Sequence, residues 1–431
     1  MASGASRLLA PYRRLPEEMR RTLRPLNLID ELGSFLPAAI APRLRSATEA
    51  ARRITLLRRA RYRVRCLEGR AAGGGSPLTC LLAMDDLSAR FWRGLLFLEP
   101  PREHDVATVG ALRVPRLAER LAGAVDLSLW QASWPASLLA RGRTLVPSWV
   151  PLWLPIDRPL DGIIVGERSG RAARKNDVRR IERLGLRPRL ADGAEAYERF
   201  RRELYEPYVR GRFGELGVVL PPHAFRHARR RGYLLLLEDD GGPRAGAVLV
   251  REREALRVLA FGAAAAPEAR VALEACYYHA IRLAVEHGFR RLALGTARPV
   301  LTDGVLRYKR KWGARLGRPD TFDRFILVHR DTPGVRDVLT AAPLVVECDG
   351  GELRALVAAQ GLRADQQLAR VDAPGLRELA LLTDSDDDDV RSGLTAPYSA
   401  VRVVSGDGTA AARVRPVDPR PDVPSAPPLR V

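Results

Sequence analysis

The chain has 431 residues, 46% of them hydrophobic, so it is long enough for two or three domains and too apolar to be globally disordered. Its net charge of +20 implies attraction to RNA, anionic lipid or the phosphates of a nucleotide or acyl carrier, although a genomic preference for arginine codons explains such an excess equally well. No uncharged apolar run approaches ~18 residues and no secretory leader is visible, which predicts a cytoplasmic protein without a transmembrane segment.

The first part of the chain is predicted to hold a helical segment and a first lobe. Residues 1–54 have helix-like spacing but are cut by prolines, and their apolar stretch is expected to dock on the body of the protein or, alternatively, on a membrane surface. The lobe covers 55–165. Alternating polarity predicts a strand at 61–66, and β-like apolar runs follow around a helical segment at 114–124. These runs are 78–84, 91–98, 125–130 and 145–155.

A second lobe is predicted over 166–335, with helices and strands in an α+β order. Ser169 is placed to cap a basic helix that Gly185 closes. The predicted helices are 170–184, 194–209, 222–231 and 267–287. The predicted strands are 233–238, 245–251, 256–262, 291–294 and 322–329.

The C-terminal part is predicted to be a small α/β appendage followed by a tail. The appendage covers 336–405, with strands at 344–348 and 400–404 and a helix at 352–360. The tail, 406–431, is rich in proline and charge and is expected to be disordered. The whole pattern predicts an α+β protein of two lobes with mixed sheets flanked by helices, plus this appendage.

Lysine is rare in this arginine-rich chain, occurring only as Lys175, Lys309 and Lys311. A position that keeps lysine against such a bias is a candidate for a compact ammonium on a flexible stem, which a guanidinium cannot replace. Two of the three lie in the hexapeptide 308–313, Tyr-Lys-Arg-Lys-Trp-Gly. The third lies beside Asn176, in the basic helix. The composition therefore points to two segments, 168–186 and 295–315.

These two segments together resemble the GNAT-like acyltransferases of the FemAB type. In that family a basic helix opens the catalytic half, and a strand later leads into a loop and a helix with an aromatic-Lys-x-x-aromatic-Gly signature. The resemblance covers 165–335 well and 55–165 only by size and strand content. It implies two GNAT-like lobes and direct transfer of an acyl or aminoacyl group to an amine.

The resemblance also implies roles for particular residues. Lys309 falls where the family places a lysine that steadies charge in the transition state, and Tyr308 takes the aromatic place before it. Asp303 is a candidate for a base or for the cap of this helix. Candidate substrate-binding residues are Arg174, Lys175, Asn176, Tyr205, Tyr208, Arg212, Lys311 and Trp312.

The donor is left open by one departure from acetyl-CoA-dependent GNAT enzymes. Their glycine-rich pyrophosphate loop is replaced here by Phe261-Gly262-Ala263-Ala264-Ala265-Ala266-Pro267-Glu268, which keeps only Gly262. A phosphate-bearing donor is expected, with acyl-CoA as one candidate and aminoacyl-tRNA or an acyl carrier protein as others. The alternative function is a non-catalytic scaffold that binds RNA or anionic surfaces. No metal site is predicted, because His223 and His227 lack a third ligand.

Overall fold

The computed structural model describes residues 61–110, 113–131, 144–165, 171–214, 217, 219–319, 322–348, 352–358, 371, 373–382, 400–404 and 415–416. The predicted N-terminal segment, the capping Ser169 and all of the predicted tail except 415–416 lie outside these residues. Within the described residues, no helix combines the length and apolarity needed to cross a membrane.

The chain forms two compact units whose bounds differ from the predicted lobes. The first unit consists of Met1–Val150, Arg298–Asp303 and Arg318–Val431, and the second of Pro151–Ala297 and Gly304–Gly317. The strand at 322–328 was predicted in the second lobe, but it pairs with two strands of the first unit. Its own sequence gives no sign of this, because a strand's partners are fixed by long-range packing.

The first unit contains a mixed sheet in the order β3-β1-β2-β4-β13-β5. Pairing is parallel between β2 and β4 and antiparallel between the other neighbours. Alternating burial along β1 confirms the predicted half-buried strand. The strands are β1 (Arg61–Arg70), β2 (Pro77–Ala83), β3 (Arg102–Gly110), β4 (Leu127–Gln131), β5 (Thr144–Pro147) and β13 (Phe322–Val328).

Helices cover this sheet, and one of them corrects a prediction. The apolar run 91–98, expected to be β-like, lies largely in α1 (Asp86–Leu96). The side chain of Asp85 accepts a hydrogen bond from the backbone N–H of Ser88 and so starts the helix, and the buried residues recur at helical spacing. The other helices of this unit are α2 (Val114–Arg120), a 3-10 turn at Ala122–Ala124, and α10 (Pro333–Ala341).

The predicted appendage is a five-stranded sheet that shares a core with the first sheet. Its order is β14-β15-β16-β17-β18, and Leu356 and Ala380 belong to the same buried cluster as Leu82, Trp92 and Ile326. The helix predicted at 352–360 is wrong, since Glu352–Ala358 form a strand buried on both faces. The strands are β14 (Leu344–Cys348), β15 (Glu352–Ala358), β16 (Glu378–Leu382), β17 (Ala400–Val404) and β18 (Arg415–Pro416).

The second unit is built on a seven-stranded mixed sheet in the order β12-β6-β11-β10-β9-β8-β7. Each of the strands β7 to β10 pairs antiparallel with the next strand along the chain. Strands β10 and β11 are parallel and are connected through a helix. The strands are β6 (Val150–Pro155), β7 (Arg187–Ala191), β8 (Gly232–Asp239), β9 (Gly242–Glu252), β10 (Ala255–Ala263), β11 (Arg291–Ala297) and β12 (Arg315–Leu316).

Helices pack on both faces of this sheet. Phe261 contacts Tyr277 of α8, and the next residue, Gly262, lies against Leu204 of a π-helix. Because successive strand residues point to opposite faces, these two helices lie on opposite faces. The helices are α3 (Leu160–Val165), α4 (Arg171–Leu184), α5 (Ala194–Arg199), the π-helix (Phe200–Tyr205), α6 (Glu206–Phe213), α7 (Pro222–Arg229), α8 (Ala269–Glu286) and α9 (Gly304–Lys311).

Both units therefore have mixed sheets flanked by helices, and the predicted α+β class is confirmed. The second unit follows the predicted element order closely. Its basic helix ends at Gly185, as predicted, where a φ of 65° favours glycine.

Candidate functional site

The parallel strands β10 and β11 pair over only a short stretch and then separate. Their register joins Ala255 to Arg291, Leu256 to Leu292 and Arg257 to Ala293, although β10 continues to Ala263 and β11 to Ala297. In the described structure the stretches 258–263 and 294–297 are therefore not paired with each other, and no other strand lies between them. Unpaired strand edges present N–H and C=O groups to which an extended, amide-bearing molecule can bond.

An aromatic cluster lies beside this gap. Phe261, on the unpaired part of β10, stacks on Tyr277 with ring centroids 4.4 Å apart. The ring of Tyr277 also meets Tyr308 edge-on at 5.1 Å and lies parallel to Trp312 at 6.4 Å. The signature residues Tyr308 and Trp312 are therefore brought together with two residues from outside that signature.

Two buried hydrogen-bond donors lie side by side in this cluster. The indole N–H of Trp312 is shielded from solvent beside the phenolic oxygen of Tyr308, whose own O–H is buried and has no acceptor in the described part of the chain. Burial raises the pKa of Tyr308 well above its usual range, and the nearby Trp312 side chain offsets only part of that rise. Tyr308 is therefore a neutral O–H donor at physiological pH. An unsatisfied buried donor is costly, so the hydroxyl of Tyr308 marks a place where an acceptor is expected to bind.

Lys309 is buried, with only 5% of its surface exposed, and its ammonium is turned toward β11. Its Nζ donates a hydrogen bond to the backbone carbonyl oxygen of Thr296 at 3.0 Å. Gly295, with a φ of 76°, passes close by, since a Cβ on it would lie 3.8 Å from the ammonium. The catalytic candidate Lys309 thus lies against the unpaired part of β11.

Lys311 takes part in a different arrangement, a partly buried ion-pair network between α4, α8 and α9. Its ammonium forms an ion pair with the buried carboxylate of Asp177. Arg180 joins Asp177, at 2.9 Å, to Glu274, at 2.7 Å, and Arg270 reaches the same glutamate. Both carboxylates are nearly fully buried, so their cations complete the packing of these helices.

The other predicted substrate-binding residues are spread over the second unit. Lys175 and Asn176 are exposed on α4, Arg212 is exposed on α6, and the side chain of Arg174 lies outside the described residues. Tyr205 lies in the core formed with the π-helix, where its hydroxyl accepts a hydrogen bond from the backbone N–H of Leu220 at 2.9 Å.

Tyr208 and Asp303 complete the predicted set. Tyr208 is half-buried, meets Phe213 edge-on with ring centroids 6.3 Å apart, and packs against the core formed with the π-helix. Burial raises the pKa of Tyr208. Asp303 belongs to the first unit, where its backbone N–H donates to the carbonyl oxygen of Val300. Its roles as a cap or a base stay predictions.

Sequence reasoning missed Phe261 and Tyr277. Phe261 stands at the end of β10, where the nucleotide loop of ordinary GNAT enzymes was sought and not found. Tyr277 is one of several aromatic residues in α8, and helical spacing alone does not show which of them reaches β10. In the structure Tyr277 is buried together with Glu274, Ala280 and Ile281, which lie three or four residues from it on the same face, whereas Tyr278 is only half-buried.

No protein-family model and no curated protein sequence matches the chain. Solved structures similar to it include L-PGS from Bacillus licheniformis, with 13% identity, coverage of 64% of this chain and 88% of the other, and a TM-score of 0.32. FemX has 13% identity, coverage of 61% and 88%, and a TM-score of 0.33. The C-terminal domain of a putative lysylphosphatidylglycerol synthetase from Agrobacterium fabrum has 13% identity, coverage of 62% and 81%, and a TM-score of 0.30. At these values function has to be inferred from this chain's own residues.

Proposed function

We propose that the chain is an acyltransferase that moves an acyl or aminoacyl group from an activated donor directly to an amine. The observation that carries this proposal is the separation of β10 and β11, with Lys309 on one side of the gap and the aromatic cluster on the other. An extended donor arm with amide groups suits such a gap, because it can bond to both unpaired strand edges.

The chemistry needs stabilisation of a negative oxygen. Attack of an amine on an acyl carbonyl gives a tetrahedral intermediate, and preorganised donors near its oxyanion are usually the largest catalytic contribution. Tyr308 offers a neutral buried O–H without an acceptor, the indole N–H of Trp312 lies beside it, and Lys309 adds an ammonium held in place by Thr296. In this proposal the acyl oxygen accepts hydrogen bonds from Tyr308 and Trp312 and gains negative charge as the amine attacks. Collapse of the intermediate then breaks the bond to the donor's sulfur or oxygen, and the leaving group takes up the proton that the amine loses.

Direct transfer is favoured because no described nucleophile suits a covalent intermediate. The thiols of Cys66, Cys80 and Cys276 are buried, and burial raises the pKa of each, which disfavours the reactive thiolate. The hydroxyl of Ser128 lies 2.8 Å from the imidazole of His329, but this serine is fully buried.

The phosphate-bearing part of the donor is proposed to contact the exposed basic face of α4. Lys175 and Arg179 lie one turn apart on this helix and are both exposed. Coenzyme A, an acyl carrier protein and an aminoacyl-tRNA all carry phosphates that suit such a face. The amine acceptor is expected to enter beside Tyr208, which is half-buried.

Mass spectrometry of the purified chain for a bound donor, followed by transfer assays, tests the proposal. The assays use a panel of acyl-CoA and aminoacyl donors with amine acceptors, and Lys309→Met serves as the inactive reference. Transfer by the wild-type chain that Lys309→Met lacks supports the proposal. Tight RNA binding with a steep dependence on salt, together with no transfer to any amine, supports the scaffold function instead.

A further inference from the structure

Three side chains of different ligand types meet on the first unit's sheet. Cys66 and Glu68 are two residues apart on β1 and therefore point to the same face. His104 of β3 is paired in register with Cys66, so its side chain lies on that face as well. The thiol sulfur, a carboxylate oxygen and an imidazole nitrogen of these residues all lie within 4.8 Å of one another.

This combination of ligand atoms fits zinc better than other common ions. Thiolate, imidazole and carboxylate are the three protein ligands of zinc, whereas magnesium and calcium prefer oxygen atoms alone. Bonds of about 2.0–2.3 Å in a tetrahedron set the ligand atoms roughly 3–4 Å apart. The three side chains therefore need to close by about an ångström around an ion, and three protein ligands leave the fourth position for water.

The surroundings leave these ligands available. Glu68 and His104 are exposed, and neither makes a hydrogen bond or ion pair among the described residues, although Arg102 is the cross-strand neighbour of Glu68. Cys66 is 7% exposed and lies at the edge of a core cluster, where a ligand can reach it from the side of Glu68. Burial and the charge of Glu68 raise the pKa of this thiol, so a metal ion has to displace its proton.

A metal at this position would compensate for a weak feature of the fold. Strand β3 is the edge of its sheet, and its residues are exposed or half-buried, with none of them buried. It therefore gains little from apolar burial, and a bond from His104 to an ion held by β1 would add a cross-link.

We propose that Cys66, Glu68 and His104 form a zinc site that fastens the edge strand β3 to β1. The sequence alone predicts no metal, because His104 is far from the other two ligands along the chain and only strand pairing brings them together. The site depends on residues of the first unit and is independent of the proposed transfer reaction.

Metal content and cobalt spectroscopy test this proposal on the full chain, purified without a polyhistidine tag. After incubation with zinc and gel filtration, the wild-type chain should retain about one zinc ion. Cobalt in its place should show the charge-transfer absorption of a thiolate ligand. Cys66→Ser should abolish that absorption, and His104→Asn and Glu68→Gln should keep it while weakening metal binding by at least about tenfold.

Matched variants separate a specific site from general effects. Glu68→Gln and His104→Asn change exposed side chains, so they report on the site even if Cys66→Ser folds poorly. Cys276→Ala, which removes a buried thiol in the second unit, should bind zinc like the wild type, and Arg102→Ala should bind it more tightly by removing a nearby positive charge. Zinc retention by the wild type no greater than by Glu68→Gln and His104→Asn would overturn the proposal.

Discussion

The ammonium of Lys309 donates a hydrogen bond to the backbone carbonyl oxygen of Thr296, 3.0 Å away, across the turn between β11 and α9. Helix α9 ends at Lys311, and Gly313 follows it with a φ of 89° that is readily adopted only by glycine. The cation is thus held against the unpaired part of β11 rather than on a freely rotating stem.

Replacing Lys309 should strongly reduce transfer without unfolding the protein. Lys309→Met keeps most of the side-chain volume, and we expect it to lower kcat by roughly 10²–10³-fold, the usual cost of losing one preorganised electrostatic contact. Lys309→Arg should restore little activity, because a planar guanidinium places its charge elsewhere. Arg307→Ala, an exposed position on α9, is the control. Near-normal turnover of Lys309→Met with an unchanged melting temperature would exclude this role.

Tyr308→Phe should separate stability from activity. The hydroxyl of Tyr308 is buried without an acceptor, so its removal should leave the free energy of unfolding unchanged or raise it. If that hydroxyl binds the acyl oxygen, kcat should fall by about 10²-fold with little change in KM. Thermal melting and steady-state kinetics measure the two effects, with Tyr278→Phe on α8 as the control. A loss of stability matching the loss of activity would indicate a structural hydroxyl.

Much of the second unit could be predicted from the sequence because its signals are local. The basic helix ends at a glycine, and the turn Asp239-Asp240-Gly241-Gly242 separates two apolar strands, β8 and β9. Local signals do not predict β15 correctly. This strand is buried on both faces, so its apolar residues do not alternate with polar ones, and its pattern is similar to that of a buried helix. Local signals also miss β3, because an edge strand with few apolar residues lacks the pattern that predicts a strand.

The candidate site could be predicted only in part for a similar reason. The rarity of lysine and the signature around Tyr308 point to α9 from the sequence alone. The separation of β10 from β11 and the approach of Tyr277 depend on how distant segments pack, which no local pattern encodes. The same holds for Lys311: its position in the signature predicts substrate contact, whereas its ion pair with Asp177 arises from the packing of α9 near α4.

Lys311→Met tests which of these roles applies. Loss of the cation leaves the buried carboxylate of Asp177 with Arg180 alone, and we expect a loss of roughly 1–3 kcal/mol in the free energy of unfolding. Lys175→Met, at an exposed position of α4, should change it by less than about 0.5 kcal/mol. Urea unfolding measures both. A raised KM with unchanged stability would support the substrate contact instead.

Gly262 is a position where a single methyl group should be costly. A Cβ there would lie 2.7 Å from the carbonyl carbon of Leu204 and 2.7 Å from the amide nitrogen of Tyr205, and backbone atoms cannot move aside cheaply. We expect Gly262→Ala to destabilise the protein by about 1–3 kcal/mol. Gly94→Ala, in helix α1 with open space around its Cβ, should instead be neutral or stabilising by up to about 1 kcal/mol. Equal melting temperatures for the two variants would contradict this close packing.

The stability of the chain should fall on mild acidification, and His279 should be one cause. Burial, helped by the charge of Arg282, lowers the pKa of His279 from 6.5 to about 4. Between these values the unfolded chain binds a proton that the folded chain does not, so the free energy of unfolding decreases as the pH falls from 6.5 toward 4. The slope from this residue is at most about 1.4 kcal/mol per pH unit.

Urea unfolding of the wild type and of His279→Gln at pH 7 and pH 5 isolates this contribution, because glutamine does not titrate. Burial also lowers the pKa of His227 and His329, so the variant should keep part of the pH dependence. The wild type should lose more stability than His279→Gln between the two pH values. Equal losses would mean that His279 takes up its proton in the folded chain as readily as in the unfolded one, and that the packing of α8 around it is more open than described.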